Sequence, residues 1–211
     1  MRIVEVAKKK NLFIIADEVY RELVYNGAKH ISMMEFSAVR NRVIMVDSIS
    51  KRFNLCGARV GCIASKDNKV MQSVLRFAQG RLSAPTLEQL AVIPLLKKSQ
   101  RYTESLVAEY TRRRAVVMEA CREIPRMYCA KPVGAFYVLA TLPVNDAEHF
   151  SKWLLEKFSY KKETVMLASG NGFYITPGLG KKQVRIAYVE NVPKLKRAME
   201  ILKRALQKYN A

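Results

Sequence analysis

The sequence lacks the features of several protein classes. No apolar run is long enough to cross a membrane, and the first ten residues, MRIVEVAKKK, lack the apolar stretch of a signal peptide. There are two histidines, and the four cysteines form no C-x-x-C pair, so the common zinc-site spacings are absent. We therefore expect reduced thiols, a cytoplasmic location, no membrane association and no metal.

Acidic residues are scarce relative to basic ones. The chain has 37 Lys and Arg against 18 Asp and Glu, which gives a formal net charge of +19. Such an excess occurs in nucleic-acid-binding domains. Here, however, the basic residues are spread over the whole chain, which is typical of solvated faces, so we do not expect a nucleic-acid partner. Salt-dependent DNA binding would be needed to support that alternative.

Half of the 211 residues are hydrophobic, enough for a sizeable core. Two continuous apolar runs, at residues 12–17 and 43–49, are typical of buried parallel strands. A third run, residues 59–65, follows after a link too short for a helical crossover. We therefore predict that this strand runs antiparallel or lies at the sheet edge.

The rest of the chain is predicted to be mainly helical. Helices are expected at residues 69–82, 86–98 and 101–123, then a strand or hairpin at 131–143 and a helix at 146–158. Short strands are expected at 164–169 and 183–189, before a closing helix with one apolar stripe. The pattern predicts an α/β fold, with an α/β layer over residues 1–98 and a smaller α+β unit over 99–211 that includes the long helix.

One lysine has neighbours suited to chemistry. Lys51 follows a predicted strand, in the region where α/β proteins place ligands, with the hydroxyls of Ser48 and Ser50 beside it. Arg59 lies in a G-x-R-x-G segment, and its planar guanidinium suits a phosphate dianion. A neutral lysine amine can form a Schiff base. The alternative is an ordinary surface lysine.

Asp17 ends the preceding strand and should open onto the same sheet edge, with the Tyr20 phenol three residues later. A carboxylate for a pyridinium nitrogen, an amine for an aldehyde and an arginine for a phosphate are what pyridoxal phosphate requires. The alternative for Asp17 is an N-cap, with the sequence DEVY opening the next helix.

These motifs resemble a known family. D-E-x-Y (residues 17–20), S-x-S-K (48–51) and G-x-R-x-G (57–61) occur in the order and spacing of fold-type I pyridoxal-phosphate enzymes, specifically class I/II aminotransferases. KPVGAFY (131–137) and GFYITPGLGKKQVRIAYV (172–189) resemble that family's small-domain motifs. Together with RLSAPTLEQ (81–89), these segments are most similar in sequence to the aspartate aminotransferase branch. The resemblance extends over essentially the whole chain.

The resemblance implies roles around the cofactor, pyridoxal 5′-phosphate. Lys51 would form a Schiff base with the cofactor aldehyde and then move the proton between the substrate α-carbon and the cofactor. Asp17 would keep the ring nitrogen protonated, and Tyr20 would hydrogen-bond the ring's phenolic oxygen. Residues 1–98 would then be part of the large, cofactor-binding domain, and 99–211 the small C-terminal domain.

The resemblance also implies the anion-binding residues. Ser48, Ser50 and Arg59 would bind the cofactor, with Ser48 and Arg59 holding its phosphate. Arg185 would bind the substrate carboxylate; the alternative is a plain surface arginine beside a strand. Phe136 and Tyr174 are expected to pack around the small-domain strands.

The implied activity is transamination of an amino acid, aspartate in the first instance, with 2-oxoglutarate as acceptor, in a homodimer. The family's first half has no counterpart in this sequence, so we expect the chain to be a C-terminal fragment of marginal stability. β-Elimination on the same site is an alternative chemistry. The non-catalytic alternative is an inactive remnant, or a half that depends on a partner chain.

Overall fold

The computed structural model describes residues 2–211. The chain forms two compact units, Met1–Val107 and Ala108–Ala211, whose boundary falls inside a long helix. The assignment of residues 1–98 and 99–211 to a large and a small domain stays a prediction.

In chain order the elements are α1 Arg2–Lys10, β1 Ile14–Asp17, β2 Val43–Ser48, α2 Ile49–Arg52, β3 Gly61–Ser65, α3 Asn68–Arg81, α4 Thr86–Lys97, α5 Ser99–Glu123, β4 Tyr128–Cys129, β5 Tyr137–Thr141, α6 Ala147–Glu156, β6 Ala168–Ser169, β7 Gln183–Ala187 and α7 Val192–Tyr209.

The first unit contains a three-stranded sheet in the order β1-β2-β3. Strands β1 and β2 are parallel, with Asp17 opposite Val46, and β3 is antiparallel to β2, with Ser48 opposite Gly61. The predicted antiparallel edge strand is therefore confirmed. Because β1 and β2 are parallel, both end at the edge of the sheet where β3 begins.

Two apolar clusters stabilise this unit. In the first, α1 packs against the sheet through Val4 and Ala7, which are buried with Ala16, Val39 and Val43. In the second, the buried residues Ile49, Phe53 and Val92 connect the end of β2 with α4. The second cluster lies directly beneath the segment that carries Lys51.

Helix α3 begins directly after an N-cap residue. Asp67 is the N-cap, and its Oδ1 accepts hydrogen bonds from the backbone N–H groups of Lys69 at 2.8 Å and Val70 at 3.1 Å. The helix ends at Arg81, and the next residue, Leu82, has a φ of 73°. Helices α3, α4 and α5 agree with the predicted bounds to within two residues. Over residues 2–211, no helix has the length and apolar character needed to cross a membrane.

The second unit contains an antiparallel four-stranded sheet in the order β4-β5-β7-β6. Helix α7 buries the predicted stripe, which includes Leu195, Met199 and Leu202. Asp146 caps α6. The predicted strand at 164–169 is shorter than expected, since only Ala168–Ser169 pairs, with β7.

Candidate active site

Lys51 is carried by α2, a four-residue helix that begins directly after β2. Ser48 is the N-cap of this helix, and its Oγ accepts a hydrogen bond from the Ser50 backbone N–H at 3.2 Å. Ile49 on the same turn is buried beneath it. The cap and the buried contact fix Lys51, which is half-buried, at the carboxyl end of β2.

A buried ion pair attaches α2 to β2. Arg52 Nη2 lies 2.6 Å from Asp47 Oδ2, and the two side chains are only 9% and 8% exposed. Glu22 Oε1 lies 3.5 Å from Arg52 Nε, and Arg21 Nη1 lies 3.6 Å from Asp47 Oδ2. Sequence reasoning missed this pair, because opposite charges five positions apart are not a signal of contact when one lies on a strand and the other on a helix.

Asp17 lies where the sequence predicts, at the end of β1. The ladder continues one residue further, since the Glu18 N–H donates to the Val46 carbonyl oxygen at 2.9 Å. Asp17 is exposed, and its Oδ1 accepts from the Val19 N–H at 3.2 Å. The alternative that Asp17 caps a helix is wrong, because residues 19–22 form turns. Tyr20 is half-buried within these turns.

Glu18, next to Asp17, is a buried carboxylate with three donors. Its oxygens lie 3.0 Å from His30 Nε2, 2.9 Å from Ser32 Oγ and 3.0 Å from the Met33 backbone nitrogen. Burial raises the pKa of Glu18, but the hydrogen bonds from His30, Ser32 and Met33 together outweigh it and hold the pKa below its ordinary value. Glu18 thus attaches the chain after β1 to residues 30–33, which limits the freedom of Asp17.

A cavity of about 370 Å³ opens at the carboxyl end of β2. Ser48, Ser50 and Arg59 all line it, so the structure brings together three of the residues predicted to bind the cofactor. Ser48 Oγ lies 2.9 Å from Ser50 Oγ and 3.1 Å from the Val60 carbonyl oxygen. Arg59 has a φ of 55°, and its Nη1 donates to the Cys56 carbonyl oxygen at 2.8 Å. Hydroxyls and a guanidinium in one cavity are suited to an anion.

The two glycines of the G-x-R-x-G motif have different roles. A Cβ on Gly61 would lie 2.8 Å from the Asp47 carbonyl oxygen, so this glycine permits the close approach of β3 to β2. A Cβ on Gly57 would meet no atom within 4 Å. Only Gly61 is required by packing.

Sequence reasoning missed a second arginine of the cavity. Arg81, the last residue of α3, lines it together with Arg59. Arg81 opens the RLSAPTLEQ segment that carries part of the family resemblance, but nothing in the sequence indicated that it would line the same cavity as Arg59. It lies some 20 positions from the G-x-R-x-G motif and at a helix end, where basic residues are common.

Arg185 lies in the second unit, on β7, opposite Leu139 of β5 and Ala168 of β6. Its side chain is exposed, and its guanidinium carbon lies 4.5 Å from the ring centroid of Tyr137 and 5.2 Å from that of Phe173. The two aromatic rings therefore hold the position of the exposed guanidinium. Neither ring was predicted to contact Arg185.

The aromatic residues named from the sequence have packing roles. Phe136 is buried and stacks on Tyr110 at a centroid distance of 5.3 Å. The Tyr174 hydroxyl donates to Gln183 Oε1 at 2.7 Å. Both therefore support the framework of the second unit.

Curated proteins similar to this chain are transaminases. This chain is 32% identical over 208 residues to the (5-formylfuran-3-yl)methyl phosphate transaminase of Methanocaldococcus jannaschii. The matched region covers 98% of this chain and 53% of that protein. This chain is also 29% identical over 209 residues to an aspartate aminotransferase of Pyrococcus horikoshii, and that match covers 97% of this chain and 51% of that protein. The chain thus spans about half the length of the curated relatives it matches.

The fold agrees with solved structures of the same kind. The aromatic aminotransferase of Pyrococcus horikoshii superposes with a TM-score of 0.87 at 28% identity, over 99% of this chain and 54% of that one. The sequence model of the family "Aminotransferase class I and II" matches residues 1–202. Fold, motif order and family match therefore agree, and the chain belongs to the class I and II aminotransferases.

Proposed function

We propose that this protein takes part in transamination, with Lys51 as the catalytic lysine, aspartate as amino donor and 2-oxoglutarate as acceptor. The observation that carries the proposal is the cavity at the carboxyl end of β2, where Ser48, Ser50 and Arg59 meet beside the helix that bears Lys51. The chain covers about half of its relatives, so the activity of the whole protein is part of the proposal.

The residues of the cavity fit the cofactor that class I and II aminotransferases use, pyridoxal 5′-phosphate. When bound, this cofactor supplies an electron sink for the α-carbon of the amino acid. Its phosphate needs cationic and hydroxyl donors, and the cavity offers the Ser48 hydroxyl and the Arg59 guanidinium, with no carboxylate among its lining residues. The Ser50 hydroxyl lines the same cavity and accepts a hydrogen bond from Ser48 Oγ.

Each remaining residue has a proposed role at a stated atom. Lys51 Nζ holds and moves the proton of the substrate α-carbon. The Ser48 cap and the buried turn of α2 fix the backbone position from which the Lys51 side chain extends. The Asp17 carboxylate, at the end of β1, binds a protonated ring nitrogen. The Tyr20 hydroxyl donates to a phenolic oxygen.

Arg185 is proposed to bind the α-carboxylate of the substrate. A planar guanidinium makes two parallel hydrogen bonds to a carboxylate, and Tyr137 and Phe173 hold that plane. The Pyrococcus aspartate aminotransferase supports aspartate as donor. The family also contains transaminases of other specificity. A homodimer and a cytoplasmic location remain part of the proposal.

A cofactor titration of the purified chain tests the role of Lys51. Pyridoxal 5′-phosphate is added to the wild type, to Lys51→Ala and to Lys66→Ala, which removes an exposed lysine of the same unit. We expect a visible absorbance band that appears with the wild type and Lys66→Ala, is lost in Lys51→Ala, and shifts when aspartate is added.

Either of two results would contradict this role. In one, Lys51→Ala gives the same band as the wild type. In the other, no band forms although circular dichroism shows that the chain is folded. The second result would favour the other candidate function, described next.

The second candidate is a non-catalytic half that requires a partner chain. Apolar side chains of the first unit favour it, since Leu12, Phe13 and Ile15 are 48%, 52% and 74% exposed. A partner covering this surface would restore both stability and cofactor binding, so co-expression with a relative's unmatched half distinguishes the two candidates.

A further inference from the structure

Arg81 has no role in the function proposed above, yet it lines the same cavity as Arg59, Ser48 and Ser50. It is the last residue of α3, and Leu82, which follows it, turns the chain away with a φ of 73°. Ala84, beyond this turn, also lines the cavity. Residues on both sides of Leu82 therefore line the cavity.

The charge of this cavity is unbalanced. Its lining includes two guanidinium groups and no carboxylate. Within residues 2–211, the ion pairs within 4.0 Å include neither Arg59 nor Arg81, and the hydrogen bond of the Arg59 side chain goes to a neutral carbonyl oxygen. By contrast, the buried Arg52 is paired with Asp47 at 2.6 Å.

Two like charges in one cavity repel each other, and an anion bound between them offsets this repulsion by attracting both. A phosphate monoester carries close to two negative charges at neutral pH, which matches the two guanidinium groups. The hydroxyls of Ser48 and Ser50 add neutral polar groups to the lining of the same cavity. The lining also includes apolar side chains, Val74 and Ile63 among them.

We propose that Arg81 is a second phosphate-binding residue, which holds the phosphate of the cofactor jointly with Arg59. This inference rests on the proposed function, because it assigns the cavity to a phosphate ester. It deepens that function by adding a contact from α3 to those from the β2–β3 region, so that phosphate binding connects α3 with the sheet.

An alternative account of Arg81 is a helix-terminal cation, since basic residues in the last turn of a helix interact favourably with its carbonyl groups. That account predicts an effect on stability and none on phosphate binding. The two accounts therefore differ in a binding measurement.

The test compares dissociation constants for pyridoxal 5′-phosphate, for pyridoxal, which lacks the phosphate, and for inorganic phosphate. The proteins are the wild type, Arg81→Gln, Arg59→Gln and Arg76→Gln. Arg76 is the matched control, because it lies on the same helix, is exposed and does not line the cavity. Binding is followed by isothermal titration calorimetry, and folding of each variant by circular dichroism.

We expect Arg81→Gln to weaken binding of pyridoxal 5′-phosphate and inorganic phosphate about tenfold, as for the loss of one charge-assisted hydrogen bond, while pyridoxal binding is unchanged. Arg59→Gln should behave in the same way and Arg76→Gln like the wild type. Arg81→Lys, which keeps the charge without the planar fork, should lose less than Arg81→Gln.

The inference is overturned if Arg81→Gln and Arg76→Gln bind both phosphate ligands equally well, or if the folded wild type binds neither ligand. Failure of the proposed function is a separate result. If Lys51→Ala keeps the visible band while Arg81→Gln still weakens phosphate binding, the lysine chemistry is wrong and the anion site stands. If the band requires Lys51 but Arg81→Gln binds normally, only the inference fails.

Discussion

Glu18 is a buried carboxylate whose ionised form is stabilised by its neighbours. It is 4% exposed, yet its pKa is held below the ordinary value of 4.5 by the donors that surround it. A carboxylate whose folded pKa lies below its unfolded pKa stabilises the fold above the unfolded pKa. That contribution is lost as the pH falls through the folded pKa.

Glu18→Gln should therefore lower the free energy of unfolding at pH 7 by about 2 kcal/mol, since an ionised acceptor is replaced by a neutral amide. The difference from the wild type should shrink as the pH falls below 4.5, the ordinary pKa of the group. Urea unfolding at several pH values measures it, with the exposed Glu104→Gln as control. A difference that is equal at pH 7 and at pH 3 would contradict this account.

At the scale of elements, the contact between β2 and β3 depends on one glycine. An added Cβ at Gly61 would lie 2.8 Å from the carbonyl oxygen of Asp47, and backbone atoms cannot rotate away as a flexible side chain does. We expect Gly61→Ala to lower the free energy of unfolding by about 1–3 kcal/mol and to distort the cavity.

Gly57→Ala is the matched control, because a Cβ there meets nothing within 4 Å. It should leave stability unchanged or raise it by a few tenths of a kcal/mol, since alanine reduces the entropy of the unfolded chain. Denaturant unfolding of both variants checks the pair. An equal loss of unfolding free energy in Gly57→Ala and Gly61→Ala would show that the close approach of Gly61 to the Asp47 carbonyl oxygen does not determine stability.

The elements were largely predictable from their patterns. Continuous apolar runs predicted β1 and β2, and a link too short for a crossover predicted that β3 is antiparallel, as observed. The stripe of α7 predicted its buried face. The alternative that Asp17 caps a helix was wrong, because the polar contacts of Glu18 with residues 30–33 favour turns there, and those partners are distant in sequence.

At the scale of the whole molecule, the first unit leaves apolar side chains uncovered. In the part of the chain that the structure describes, β1 pairs with β2 on one edge only, and Ile15 on this strand is 74% exposed. A strand with one unpaired edge and exposed apolar side chains favours association with other chains.

Ile15→Lys should therefore reduce self-association of the purified chain, while the free energy of unfolding changes by less than about 0.5 kcal/mol. Ile175→Lys, at a fully exposed position of the second unit, is the control and should leave association unchanged. Sedimentation velocity over a range of concentrations measures both. Equal association of Ile15→Lys and the wild type would show that this edge is not the contact.

Motifs of short span were enough to predict the family and the order of the elements, and they indicated Asp17, Lys51, Arg59 and Arg185 as proposed site residues. Contacts between groups distant in sequence could be seen only in the folded chain. The tertiary structure placed Arg81 in the cavity of Arg59, and it paired Asp47 with Arg52 beneath the lysine turn. The physical reason is that charge compensation and cavity shape are set by groups that approach through space, and residue spacing along the chain does not record that approach.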